Sequence, residues 1–133
     1  MKSKPLKKYK IPIELYDTFL EVWVGGTEKA VIDYVNKEEN DKDNPYILDG
    51  RSGAYFAIKD KTREGRIKRR ILWIEYKKPE LIVHELFHAV CEIMAYKNIH
   101  LTKNMAEKYV KDSEEAYAYF FDFLYRKVMK LLK

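Results

Sequence analysis

Three histidines occur in this chain of 133 residues, and two of them bracket a glutamate in His84-Glu85-Leu86-Phe87-His88. A spacing of four puts His84 and His88 one turn apart on the same side of a helix, where both rings can reach one Zn2+ ion. Glu85 falls beside that side. Its carboxylate is therefore placed to take a proton from a water that zinc has acidified, and the chemistry such a set supports is attack of water on a carbonyl. The competing reading is two packing histidines and a solvated charge. Val83, Leu86, Phe87, Ala89 and Val90 make the helix apolar nearly all round and so buried, where unpartnered histidine and glutamate would be costly.

A catalytic zinc site takes three protein ligands and keeps one position open. The longer pattern with glycine and a third histidine fails, because Cys91 and Met94 occupy those places. His100 follows Lys97-Asn98-Ile99, where the helix is expected to end, and is the weaker source. The stronger source is Asp112-Ser113-Glu114-Glu115 at the start of the last helix. Tyr117, Phe121, Leu124, Val128 and Leu132 form that helix's apolar face, and Asp122, Arg126, Lys130 and Lys133 its polar one. Glu114 falls on the first and Glu115 on the second, where Asp112 and Glu115 also fit a capping box. Periodicity therefore favours Glu114.

The motif and a downstream helical glutamate resemble the gluzincin branch of the zincins. The sequence of features from Trp73-Ile74-Glu75-Tyr76 through His84–His88 to Ser113-Glu114-Glu115-Ala116-Tyr117-Ala118-Tyr119 is similar to small metallopeptidase-like proteins encoded by bacteriophages and prophages. The likeness spans residues 23–124, and its specific part is confined to two segments. It implies Zn2+ as cofactor, a protein or peptide substrate, and a phage-derived origin. It also implies His84 and His88 as ligands, Glu85 as general base, and Glu92 as a carboxylate supporting the ligands from behind. Such enzymes pair an extended substrate with a strand at the sheet edge, and Ile71–Tyr76, with Trp73 and Ile74, is the candidate. Gluzincins tend to carry a small residue three places after the third ligand and Asp or Asn four places after it. Glu115 meets the first condition through Ala118 and has Tyr119 at the second, whereas Glu114 meets neither. The motif thus favours Glu115, burial favours Glu114, and both stay open.

The elements that must position these residues read as an α+β fold. The expectation is a small zincin-like domain: a short sheet with a hairpin, packed on the motif helix and a C-terminal helix. Residues 1–10 read as a basic tail and 11–133 as one domain. Ile11–Val24 reads as extended, stopped by Gly25-Gly26, and Thr27 caps a helix to about Asn36. Ala54–Ile58 and Ile71–Tyr76 form a hairpin joined by the charged Lys59–Arg70. Asp49–Gly53 is a turn before it. Pro79-Glu80 opens the motif helix, which runs to about Lys97. A short helix is expected over Lys103–Lys111 and the last from Asp112.

Composition bounds the rest. The net charge of +5 comes from 26 Lys+Arg against 21 Asp+Glu, with five lysines in Met1–Lys10 and seven cations in Lys59–Arg70. That excess suits a solvated tail and hairpin tip, and is compatible with weak attraction to nucleic acid. The single Cys91 excludes an intrachain disulfide and reads as a small buried filler. No apolar stretch reaches the roughly 18–20 residues of a membrane span, and the N-terminus has no signal-peptide pattern. A cytoplasmic, intracellular protein without membrane partners is expected; no feature fixes an oligomeric state. Tyr117 and Tyr119 could donate to an oxyanion, with packing the commoner role. The principal expectation is a zinc metallopeptidase. Its rivals are a non-proteolytic zinc-containing phage or host-interaction module, and a DNA-associated protease recruited through Lys59–Arg70.

Overall fold

Apolar residues alternate with polar ones from Ile11 to Val24, yet the chain folds back in the middle of this run. The computed structural model describes residues 4–41, 43–63, 65–97 and 107–133, and side chains in the last segment from 114 onward. Strand β1 (Lys7–Ile13) ends in a 3-10 turn, Glu14–Tyr16, and β2 (Thr18–Val24) returns antiparallel to it. Asp17 makes the reversal possible by taking a left-handed backbone, φ 48°, and donating its N–H to the Glu14 carbonyl at 3.1 Å. Because Lys7–Lys10 pair with β2, they are part of the sheet, and the expected boundary of a tail at residue 10 does not hold.

Gly25 and Gly26 then turn the chain into helix α1 (Glu28–Glu39), which Thr27 caps by accepting the Ala30 N–H. Strands β3 (Gly53–Lys59) and β4 (Ile67–Ile74) form the expected hairpin, but its connection is shorter than the expected Lys59–Arg70. Lys59 belongs to β3, Ile67–Arg70 belong to β4, and β4 ends at Ile74 and not at Tyr76. Helix α2 (Pro79–Tyr96) carries proline in its first turn, as expected. Helix α3 runs from Glu107 to Leu131, so residues 107–111 belong to it and not to a separate short helix. The rest of the expected Lys103–Lys111 element, and His100, lie outside the described residues.

The four strands lie in the order β1-β2-β4-β3, with β2 and β4 parallel and the other pairs antiparallel. Period-two alternation in the central strands feeds two cores. Leu20, Val22, Leu72 and Ile74 face α2 and α3, meeting Leu86, Ile93, Leu124 and Val128. Trp23, Ile71 and Trp73 face α1, with Phe56 and Ile58 from β3 and Val31 and Val35 from the helix. The fold is thus α+β, one helix on one face of a mixed sheet and two on the other.

This topology corrects the expected substrate edge. β4 is hydrogen-bonded on both sides, and Trp73 and Ile74 are fully buried, one in each core. A strand with neighbours on both sides has no free backbone to offer. Among the described residues, the strand with a free edge near α2 is β3.

Candidate metal centre

Helix α2 buries Ile82, Glu85, Leu86, Ala89, Val90, Ile93 and Met94 against the sheet and α3. It is not buried all round, because it forms an outer layer: Val83 and Phe87 are 43% and 55% exposed, and His84 and His88 also face outward. The one-turn spacing brings the two imidazoles together with Nε2 to Nε2 at 3.3 Å. Two metal–nitrogen bonds of about 2.0–2.1 Å, separated by a tetrahedral angle, span about 3.3–3.4 Å. A single N–H···N hydrogen bond fits the same distance, so the rings alone do not decide between the two.

Glu85 adds a second observation. Its side chain is 8% exposed, with Oε1 3.7 Å from His84 Nε2, too far for a hydrogen bond. Its Oε2 is buried and, among the described residues, has no hydrogen-bond partner. Burial pushes this carboxyl above its ordinary pKa, and the nearby His84, His88 and Arg51 partly offset that. Buried carboxylate oxygens are normally satisfied, and one left open beside two imidazoles suits a cation or a water delivered there. The ligand atoms of His84, Glu85 and His88 all lie within 4.8 Å of one another, so the group could hold a metal ion.

The group opens into a cleft of about 980 Å3. One wall is α2, through Glu80, Leu81, His84, Glu85, His88 and Glu92; the other is β3 and the chain before it, through Tyr46, Arg51, Ser52, Gly53, Tyr55 and Ala57. Gly53 is where the walls meet. A Cβ there would stand 3.3 Å from Glu85 Cγ and 3.2 Å from the Trp73 carbonyl, so the missing side chain lets the glutamate seat against the strand. The segment before β3 is held by Glu28 of α1, whose carboxylate accepts the backbone N–H groups of Asp49, Gly50 and Arg51. None of the residues on the β3 side of the cleft stood out in the sequence as site residues. Gly53 and Arg51 read as turn residues there, and nothing local shows that the turn faces the motif helix.

Glu92 lies on the same wall, but its carboxylate turns to the sheet. Arg70, itself buried, donates to it at 2.8 and 3.2 Å and to Thr18 Oγ1 at 2.8 Å; the Tyr55 hydroxyl donates at 2.6 Å. Burial, with Glu92 alongside, pushes the Tyr55 hydroxyl far above its usual range against the opposing effect of Arg70, which keeps it a donor. Glu92 thus fixes α2 to β3 and β4 one turn beyond His88.

Neither Glu114 nor Glu115 joins the two histidines among the described residues, and both are exposed. The expectation that Glu114 is a buried carboxylate is corrected. The buried line on α3 runs through Phe120, Leu124 and Val128, and Glu114 sits about 80° away from its centre. Tyr117 is half-buried, its hydroxyl pushed up by burial and by neighbouring Cys91, whereas Tyr119 is 75% exposed. Cys91 is only partly buried, and burial raises its thiol as well.

No protein-family model, curated protein or solved structure matches the chain. Among the described residues no helix is long and apolar enough to cross a membrane.

Proposed function

We propose that the protein is a zinc-dependent metallopeptidase in which His84 and His88 hold the ion and Glu85 is the general base. The observation that carries this reading is the buried Oε2 of Glu85, without a hydrogen-bond partner among the described residues, beside two imidazoles at metal-ligand separation. When bound, zinc supplies a Lewis acid for a carbonyl and brings water towards ionisation near neutral pH. Glu85, held between Gly53 and the histidines, takes the proton of the attacking water and returns it to the leaving amine. The free edge of β3 runs along the cleft, and an extended peptide could add to it as a further strand. Besides Glu85, the described residues place no third ligand in the group. Glu115, on the motif, and Glu114 beside it stay the sequence candidates for that ligand, and zinc titration of Glu114→Ala and Glu115→Ala separates them.

Part of the basic stretch is committed within the fold, in β4 and not in the connection before it. Arg69 is turned to Glu21 and Glu38, Arg70 to Glu92, and Lys68 lies 3.7 Å from Glu38. The test of the leading reading is metal analysis alongside a broad peptide-cleavage screen of wild type and Glu85→Gln. The variant is expected to keep zinc and fold while losing at least about 10²-fold in rate, the lower end for a positioned base. Equal cleavage by both would refute the mechanism, and refusal of zinc by wild type would refute the metal site.

A further inference from the structure

At the other edge of the sheet from the metal centre, β1 and the turn after it leave a groove against α3 of about 1070 Å3. Some of the most exposed large apolar side chains of the molecule line it: Leu15 at 82%, Tyr119 at 75% and Phe123 at 42%. Exposed apolar surface concentrated in a concavity marks a binding site more often than scattered surface residues do. The charged groups at its margin are Lys10, Lys127 and Lys130 against a single carboxylate, Glu14. None of these lysines forms an ion pair among the described residues. Lys10 and Lys127 instead lie over the Phe19 and Phe123 rings, at 3.9 and 5.6 Å.

We infer that this groove docks an acidic amphipathic helix of a partner protein. An apolar trough flanked by unpaired lysines is complementary to a helix with one apolar stripe and carboxylates beside it. Strand addition is disfavoured, because β1 carries Pro12 and Lys7, Lys8 and Lys10, the devices that blunt a sheet edge. A second copy of the chain would set one lysine margin against another at a net charge of +5 each. The α3 wall runs from Ala116 to Leu131, about 22 Å of helix at the usual rise, which fits a partner of about four turns.

The test is a display library of 16-residue peptides, with Leu or Phe at i, i+3, i+4 and i+7 and Glu or Lys elsewhere, selected on the whole protein. Acidic helical sequences are expected to be enriched. Synthesised with a fluorescent label, they should bind at least about tenfold more tightly than their Glu-to-Lys counterparts. Tyr119→Asp and Leu15→Asp, at exposed positions, should weaken binding at least about tenfold with unchanged melting. Lys127→Glu with Lys130→Glu should reverse the charge preference. The inference is overturned by no enrichment, by equal binding of both charges, or by insensitivity to Tyr119→Asp. It is also overturned if sedimentation shows a dimer that Tyr119→Asp dissolves, or if the groove residues are needed only for flotation with anionic phosphatidylserine vesicles. None of these readouts depends on zinc or on peptide hydrolysis.

Discussion

Replacing Glu85 by methionine should stabilise the metal-free protein. The side chain is 8% exposed, Oε2 has no hydrogen-bond partner among the described residues, and Oε1 stands 3.7 Å from His84. A buried acceptor without a partner costs about 1–3 kcal/mol, and more when it carries charge. Methionine removes that cost and has helix propensity close to that of glutamate. It also keeps an unbranched Cγ, which matters because a Cβ at Gly53 would already lie 3.3 Å from that atom. Glu85→Met is therefore expected to gain about 1–3 kcal/mol, or about 3–10 °C in melting temperature for a domain of this size. Denaturant unfolding in excess EDTA measures it directly. Glu92→Met serves as control, because the oxygens of Glu92 are engaged by Arg70 and Tyr55 and their loss should destabilise. A Glu85→Met variant less stable than wild type without metal would show that Oε2 is satisfied in solution. Glu85 would then offer no open oxygen to a cation or a water at the site.

Arg70→Met should cost about 3 kcal/mol, the low end for breaking a buried pair, since Glu92 stays a quarter exposed; adding Glu92→Met should recover most of it, and a double-mutant cycle in urea measures the coupling. Gly53→Ala should leave global unfolding within about 1 kcal/mol yet reduce zinc affinity or cleavage several-fold by pushing Glu85 from its seat, and unchanged activity would refute that role. Burial pushes the Glu21 carboxyl up, but the hydrogen bonds and charge of Arg69, with help from Trp23 and Lys8, outweigh burial and hold it below 4.5. A depressed carboxyl contributes stability above its ordinary pKa and loses it as pH falls through the folded value, so the gap between wild type and Glu21→Gln should be full at neutrality and close below about pH 4.5. A gap that widens on acidification would refute this.

Much of the frame was legible locally. Thr27, Gly25-Gly26 and Pro79-Glu80 mark element ends through backbone chemistry that needs no partner. His84, Glu85 and His88 meet because helical geometry alone brings residues four apart together. The turn at Glu14–Asp17 was hidden because it uses no glycine: Asp17 supplies the left-handed residue, and Ile13 and Leu15 continue the apolar alternation through it. Strand order was beyond local reading as well. Ile71–Ile74 is an apolar run in either an edge or a central strand, and only pairing with both β2 and β3 put Trp73 and Ile74 inside. For Glu114, the face of α3 that is buried depends on where α2 and the sheet lie, and a phase difference of under a quarter turn sufficed to expose it. Gly53 and Arg51 join the cleft through contacts across more than thirty positions of sequence, a distance over which side-chain periodicity carries no information. Sequence alone determined the pair of imidazoles and their adjacent carboxylate, because one helix suffices to assemble them. Tertiary structure decided the strand that overlooks them and the burial of the Glu85 carboxylate, because both arise from packing between distant segments.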